Sequence, residues 1–204
     1  GEDAYPSTNI RLDQFEEHLR VLTSGDYNVL PLSDVVAALT SGARLPDRTV
    51  AITIDDAYRS IYTEAFPRLK AAGLPFTIFI NTDAVGQVAG ALTWDELRTM
   101  AAAGVEIGAH SAAHQHMAVL DRGAAEEDMA RMTATFLAEL GTVPPYYAYP
   151  YGEYSRDLAD MVKDAGYGVA FGQHSGVAVV GGDPYALPRF ALNERYGAPD
   201  RFAT

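Results

Sequence analysis

Short apolar runs, rich in β-branched residues, recur along the chain and are separated by longer segments with helical periodicity. Runs of this length with few polar residues are typical of strands that are buried on both faces of a sheet. We therefore predict five strands, at Thr49–Ile54, Phe76–Ile80, Val105–Gly108, Tyr146–Tyr149 and Gly168–Phe171.

The segments around these runs carry apolar residues three and four positions apart, as amphipathic helices do. Such stripes begin at Leu12, Val35, Met129 and Leu158. A capping box at Thr93–Glu96 opens a further helix, and Ser33 and Ser155 are placed to cap two others. Gly141 follows the longest stripe and is expected to end that helix.

Strands that alternate with helices indicate a parallel sheet covered by helices, either open and doubly wound or closed into a barrel. No glycine-rich phosphate loop follows an early strand, which weakens the nucleotide-binding version. Polar residues follow the predicted strands at Asp55–Asp56, Asn81, His110, Tyr151 and His174. Catalytic groups of (β/α) barrels converge at the carboxyl ends of the strands, so we predict an α/β fold of the distorted-barrel type.

Composition narrows the choice of partner. The 204 residues fit one domain, spanning 1–204, with a formal net charge of −12 and no cysteine. Nucleic acid and anionic lipid bind to patches of basic residues, and the sequence shows no such patch. A neutral or cationic substrate is therefore favoured. No apolar run has the length of a transmembrane helix. The chain begins at Gly1 without a signal peptide, so we expect a fragment or a processed form.

Two adjacent carboxylates, Asp55 and Asp56, stand directly after the first long apolar run. Neighbouring residues on extended backbone point to opposite sides, which suits the pair to two different tasks. Aspartate also favours turns, and taken alone the pair is explained equally well by a turn at the end of the strand.

Two histidines four positions apart, His110 and His114, change that interpretation. If the segment after His110 is helical, both rings lie on one face and reach the same ion. With one carboxylate they form a set of two nitrogens and one oxygen, which is typical of catalytic zinc and is also suitable for cobalt or nickel. His116 is offset by two positions and is expected outside this set.

At this point the motifs resemble a known family. Thr53–Asp56 and His110–His114 are similar to the first two motifs of the polysaccharide deacetylases, which are carbohydrate esterase family 4 or NodB-homology domains. Ala148–Gly152 matches the third motif except that Ala148 stands where the family has arginine. The stretch Tyr147–Gly152 looks most like the branch that deacetylates poly-β-1,6-N-acetylglucosamine. The resemblance implies a distorted barrel of about seven strands, with the first strand lacking from this chain.

The resemblance also implies roles for individual residues. Asp56, His110 and His114 would hold one divalent ion, most simply Zn²⁺, with Ser111 hydrogen-bonding close by. Asp55 would be the base that activates water, and the backbone N–H of Tyr151 would stabilise the oxyanion.

Two departures from the family pattern concern Asp55 and the proton donor. Arg189 is the candidate to replace the arginine missing at Ala148, although a surface arginine is an equal alternative. His174 is a candidate general acid. In the branch that this chain resembles, the acid lies on a strand that would precede Gly1, with Gly1–Ile10 as the following loop, and we favour that upstream donor.

The resemblance therefore implies a metal-dependent hydrolase that removes N-acetyl groups from an amino-sugar polymer or oligosaccharide, in the periplasm or outside the cell. O-acetyl esterase activity on a xylan-type polymer is the nearest alternative, because both reactions pass through the same tetrahedral intermediate. A non-catalytic glycan-binding relative, supported by Ala148 and the absent acid, and a structural α/β domain are further alternatives. Asp55 beside three metal ligands argues against the binding module, since binding alone needs no base.

Overall fold

The structure is a computed structural model that describes residues 9–193, 197–198 and 202. The α-helices in this part of the chain are α1 (Leu12–Leu22), α2 (Leu32–Ser41), α3 (Phe66–Ala71), α4 (Trp94–Ala102), α5 (Arg122–Leu140) and α6 (Arg156–Asp164). A π-helical turn at Ile61–Ala65 leads into α3, and 3₁₀ turns lie at Met117–Val119 and Pro150–Gly152. No helix within the described residues is both long and apolar enough to cross a membrane.

The strands form two parallel sheets. The strands are β1 (Asn28–Val29), β2 (Thr49–Val50), β3 (Ile52–Asp55), β4 (Phe76–Ile80), β5 (Glu106–Ala109), β6 (Tyr146–Ala148) and β7 (Val169–Phe171). The first two pair with each other, and the other five follow one another in chain order, β3-β4-β5-β6-β7, as a curled half-barrel. Beyond β7, Leu187 makes a parallel bridge to Phe171 and brings a further segment to the edge of the sheet.

The predicted distorted (β/α) barrel is confirmed, with its strands divided between the two sheets. Four of the five predicted strands match β4 to β7 closely, and the fifth, Thr49–Ile54, is interrupted at Ala51 into β2 and β3. Strand β1 and helix α3 were not predicted. The expectation that Gly1–Ile10 is a loop after a missing strand falls largely on residues 1–8, outside the described residues.

The two faces of the larger sheet have different coverings. On β4, Ile78 and Ile80 pack in the core that the other helices form with one face of the sheet. The intervening Phe79 packs on the opposite face with Leu32 of α2. A Cβ at Gly108 would lie 2.3 Å from the Phe79 ring, so only glycine fits beside it on β5. The alternation along β4 thus directs Ile78 and Ile80 to the core shared with the other helices, and Phe79 to the face that α2 covers.

Local signals located several helix ends correctly. Thr93 and Glu96 form the predicted capping box of α4, and Ser155 caps α6. Gly141 ends α5 in the left-handed conformation. The prediction that Ser33 caps α2 is wrong, because the helix already starts at Leu32 and the Ser33 N–H donates to the Glu106 carboxylate at 3.2 Å. The Glu106 side chain, 73 positions away, therefore accepts a hydrogen bond from the first turn of α2, as a local capping residue was expected to do.

Candidate active site

The candidate residues meet at the carboxyl edge of the larger sheet. Asp55 is the last residue of β3 and Asp56 follows it, while His110 comes directly after β5. Tyr151 lies in the 3₁₀ turn that follows β6. Because parallel strands end at the same edge, side chains distant in sequence come together there.

The backbone at this edge is unusual. Within the described part of the chain, five non-glycine residues have positive φ, and one of these, Arg48, lies away from the candidate motifs. The other four belong to the candidate site: Asp56 (73°), Ser111 (64°), His114 (52°) and Tyr151 (59°). Left-handed backbone costs about 1–3 kcal/mol at a non-glycine residue and clusters at functional sites, where surrounding contacts maintain it.

The potential ligand atoms of Asp56, His110 and His114 lie within 4.8 Å of one another. His114 Nε2 is 3.3 Å and His110 Nε2 is 3.8 Å from Asp56 Oδ1. His110 is almost fully buried, and its Nδ1 is 2.7 Å from the carbonyl oxygen of Ala148. Donation of the Nδ1 proton to that carbonyl leaves the Nε2 lone pair free and pointed at the group, as metal ligation requires.

His110 and His114 come together by a different route from the one predicted. The segment between them is not helical but a loop with left-handed residues at Ser111 and His114. The His114 N–H donates to Ser111 Oγ at 2.9 Å. The N–H groups of Ala112 and Ala113 donate to the carboxylate of Asp128. Because these amides are bound by side chains, the loop does not need the backbone bonds of a helix.

The electrostatics around His114 favour its neutral imidazole. Burial lowers the pKa of His114, and the neighbouring His110 lowers it further, against the opposing effect of Asp56. A neutral imidazole is the form that binds metal.

Asp55 lies beside this group and is paired with Arg189. The guanidinium donates from Nη1 to Asp55 Oδ1 at 2.6 Å and from Nη2 to Oδ2 at 2.7 Å. Both side chains are largely buried, and this two-bond fork is the strongest arrangement that arginine and carboxylate form. Arg189 also donates to the Gly172 carbonyl at 2.9 Å and to Thr53 Oγ1 at 3.2 Å.

Arg189 controls the charge of Asp55. Burial by itself would raise the pKa of Asp55, but the charge of Arg189, with contributions from His110 and from hydrogen bonds of Arg189 and Gln173, lowers the pKa to about 2. Asp55 is therefore ionised throughout the physiological pH range. Arg189 therefore pairs with Asp55 and is not an ordinary surface arginine. Ala148, which stands where the family has arginine, orients His110 through its carbonyl oxygen.

Tyr151 forms the open rim of the site. Its ring is 47% exposed, packs edge-on against His114 at 4.5 Å and stacks on His116 at 4.0 Å. His116 lies outside the ligand group and contacts Glu153, with 2.8 Å between Nδ1 and Oε2. Gly152 follows in a left-handed conformation, and a Cβ there would lie 2.4 Å from Cβ of Gln173.

His174 is not among the ligand atoms that the structure brings together. It is exposed, its ring centre is 6.1 Å from that of Tyr154, and its carbonyl accepts the Arg189 N–H at 3.1 Å. Sequence reasoning missed two residues of the site, Gln173 beside Asp55 and Asp128 beneath the histidine loop. Asp128 had a detectable signal, since it is a charged residue on the apolar stripe of a helix.

Comparison with known proteins adds to this geometry. The sequence profile of a family described as polysaccharide deacetylase matches residues 42–170, more than half of the chain. The chain belongs to the polysaccharide deacetylase family. The match contains Asp55, Asp56, His110, His114 and Tyr151, whereas Arg189 lies beyond its end.

Individual proteins with deacetylase names resemble this chain in sequence or in fold. A poly-β-1,6-N-acetyl-D-glucosamine N-deacetylase of Staphylococcus aureus is 27% identical over 202 residues, covering 91% of this chain and 68% of that protein. The Streptococcus pyogenes deacetylase PplD, solved with acetate, superposes with a TM-score of 0.85 at 22% identity, covering 94% of this chain and 85% of that one. IcaB from Ammonifex degensii gives 0.82 at 24% identity, with 95% and 88% covered. At these identities the two structures show a shared fold.

Proposed function

We propose that this deacetylase is a metal-dependent hydrolase that removes N-acetyl groups from an amino-sugar polymer or oligosaccharide. The observation that carries the proposal is the convergence of Asp56, His110 and His114 beside a second carboxylate, Asp55, at one edge of the sheet. A relative named as a poly-β-1,6-N-acetyl-D-glucosamine N-deacetylase supports the choice of an amide substrate on an amino sugar.

The residues present fit a divalent ion. The three donors offer two imidazole nitrogens and one carboxylate oxygen, and the hydrogen bond from His110 Nδ1 to Ala148 leaves Nε2 available. This donor set is typical of catalytic zinc, and cobalt and nickel bind it as well. When bound, the ion supplies Lewis acidity, which polarises the acetyl carbonyl and acidifies water.

Asp55 is the proposed general base. The attacking water gives one proton to Asp55 as its oxygen adds to the acetyl carbonyl carbon. The leaving nitrogen takes up a proton from the general acid as the carbon–nitrogen bond breaks, which releases acetate and the amine. With a pKa of about 2, Asp55 is always ionised but only weakly basic. An ionised carboxylate can accept the proton of a water that a bound ion would acidify.

Arg189 holds that base in position. Its fork fixes the orientation of both Asp55 oxygens, so Oδ1 and Oδ2 cannot rotate away from the reacting water. The arginine is itself oriented by the Gly172 carbonyl, and its guanidinium lies over the Phe79 ring at 5.6 Å. We propose that Arg189 performs the orienting task of the arginine that is missing at Ala148.

Tyr151 is the proposed donor to the oxyanion. Its backbone is left-handed, with φ of 59°, in the 3₁₀ turn that follows β6. Gly152 allows this turn because it adopts φ of 68° against Gln173. A fixed backbone N–H directed at the developing negative charge stabilises a tetrahedral intermediate.

The surroundings of the site suit a sugar polymer. The exposed rings of Tyr58, Tyr151 and Tyr154 flank the strand ends and offer flat apolar surfaces for sugar rings. The net charge of −12 favours a neutral or cationic glycan over a polyanion. We propose that the protein meets such a polymer in the periplasm or outside the cell.

The proposal is tested by acetate release from a panel of acetylated glycans. The panel contains a β-1,6-linked and a β-1,4-linked N-acetylglucosamine oligomer and an O-acetylated xylan. We expect release from an N-acetylated oligomer that stops when the metal is stripped by a chelator and returns with Zn²⁺. Release from the xylan alone would identify an O-acetyl esterase, and no release from any member would contradict the proposal.

A further inference from the structure

Asp128 is a buried carboxylate that the proposed reaction does not use directly. Helix α5, all of which the structure describes, buries Ala125, Asp128, Met129, Met132 and Phe136 on one face. Asp128 is the charged member of this stripe and is only 2% exposed. A carboxylate is costly to bury unless its oxygens accept hydrogen bonds, so its partners explain its position.

Those partners are the backbone of the histidine loop. Asp128 Oδ1 accepts the Ala112 N–H at 2.7 Å, and Oδ2 accepts the Ala113 N–H at 3.0 Å. These two peptides lie between His110 and His114. One carboxylate therefore binds the middle of the short segment that carries two of the three proposed ligands.

The opposite side of the loop is held by the turn after β4. The Ala112 carbonyl accepts the Asp83 N–H at 3.0 Å. Arg131, one turn along α5, contacts Asp128 Oδ2 at 3.2 Å and Asp83 Oδ2 at 3.1 Å. Asp128, Arg131, Asp83 and Ala112 form a closed ring of contacts, which ties α5 and the end of β4 to the histidine loop.

The conformation of the loop explains why it needs this support. Ser111 and His114 are both left-handed, with φ of 64° and 52°, a conformation that non-glycine residues rarely keep without surrounding contacts. Hydrogen bonds to a charged acceptor are stronger than those between neutral groups. The Asp128 carboxylate thus favours the strained loop over an extended alternative that would separate the rings.

We propose that Asp128 is a positioning residue that preorganises His110 and His114 for metal binding. The inference rests on the proposed function, because it assumes that these histidines bind an ion. Asp128→Asn is the informative change, since the amide keeps one acceptor oxygen and turns an NH₂ group towards the second N–H of the loop. Residues that orient metal ligands typically contribute about 10–100-fold to metal affinity.

Glu106→Gln is the matched control. Glu106 is also a carboxylate that binds backbone and side chain, accepting the Ser33 N–H at 3.2 Å and the Thr77 hydroxyl at 2.8 Å. It lies at the start of β5, whereas His110 follows the end of that strand. Both substitutions are expected to lower the melting temperature of the metal-free protein, but only the one at Asp128 reaches the ligand loop.

The experiment compares zinc affinity, by chelator competition, in wild type, Asp128→Asn and Glu106→Gln, and records the visible spectrum of the Co²⁺ forms. We expect Asp128→Asn to bind zinc about 10–100-fold more weakly with an altered Co²⁺ spectrum. Glu106→Gln is expected to match wild type in both. Equal affinity and equal spectra in wild type and Asp128→Asn would overturn the inference while leaving the proposed function intact.

Two further outcomes are decided by the same measurements. A wild-type protein that binds no zinc would overturn the proposed function and this inference with it. If Asp128→Asn does not fold, Asp128→Glu replaces it, because that change keeps the charge but moves both acceptor oxygens away from the Ala112 and Ala113 N–H groups. Weaker zinc binding in Asp128→Glu supports the inference, and unchanged binding overturns it.

Discussion

The candidate site has two halves, a proposed metal half and a proposed base half, that the chain builds in different ways. In the metal half, Asp56, His110 and His114 come from the ends of β3 and β5 and are oriented mainly by hydrogen bonds to and within the backbone. In the base half, Asp55 is held by the charge of Arg189, which lies 134 positions later in the chain. The metal half therefore depends on loop geometry, and the base half depends on one ion pair.

If the halves are separate in this way, removing a ligand should abolish metal binding without disturbing the ion pair. We expect His110→Ala to show the largest effect. Loss of a residue that only orients a ligand typically lowers metal affinity by about 10–100-fold, and loss of the ligand His110 should lower zinc affinity by more than that. Zinc titration of the metal-free protein measures this. His116→Ala is the control, because His116 is two positions from His114 but contacts Glu153. Equal loss in both variants would contradict the assignment of ligands.

Removing Arg189 should affect the base half and spare the metal half. In Arg189→Met, burial dominates and raises the pKa of Asp55 from about 2 to above its ordinary value, so Asp55 takes up a proton at higher pH. The acid limb of kcat/KM is therefore expected to move to higher pH, with zinc affinity unchanged. Loss of one partner from a largely buried ion pair should also destabilise the fold by about 3 kcal/mol.

The pH profile of Arg189→Met is compared with that of Arg122→Met, which removes an exposed arginine that pairs with Glu126 within α5. Identical acid limbs in the two variants would show that Arg189 does not set the charge of Asp55. Loss of zinc in Arg189→Met would show that the two halves are not independent.

The smallest effect is expected for His174→Ala. His174 is exposed, its ring centre lies 6.1 Å from that of Tyr154, and it is not part of the ligand group, so we do not expect it to protonate the leaving nitrogen. Removal of a general acid typically lowers the rate by about 10²–10⁴-fold. We expect kcat on an N-acetylated oligomer to fall by much less than this in His174→Ala. A loss of that size, absent with 4-nitrophenyl acetate, whose leaving group needs no proton, would identify His174 as the acid.

Much of the fold could be predicted because its signals are local. The apolar runs of β4 to β7 and the caps at Thr93, Ser155 and Gly141 depend on residues a few positions apart. The N-terminus of α2 could not be predicted in this way, because its cap is Glu106 on β5. Strand β1 has only two residues, Asn28–Val29, which is too short for a periodic pattern.

The same distinction applies to the site. The spacing of His110 and His114 indicated a shared ion, but the expected helix between them is a loop, because its amides bind Asp128 and Ser111 rather than backbone carbonyls. The sequence could not decide whether Arg189 pairs with Asp55 or lies on the surface. The pairing depends on the segment around Leu187, which lies beside β7 and carries Arg189. Residue spacing predicts which groups are available, and the tertiary structure determines which of them meet.

The central claim is that adjacent carboxylates at one strand end perform different tasks, and one paired measurement tests it most directly. Asp55→Asn and Asp56→Asn are compared for zinc content and for acetate release, and asparagine tolerates the left-handed backbone of Asp56. We predict that Asp55→Asn keeps its zinc but loses about 10²–10⁴-fold in kcat, whereas Asp56→Asn loses zinc and activity together. Loss of zinc in both variants, or full activity in Asp55→Asn, would contradict the account.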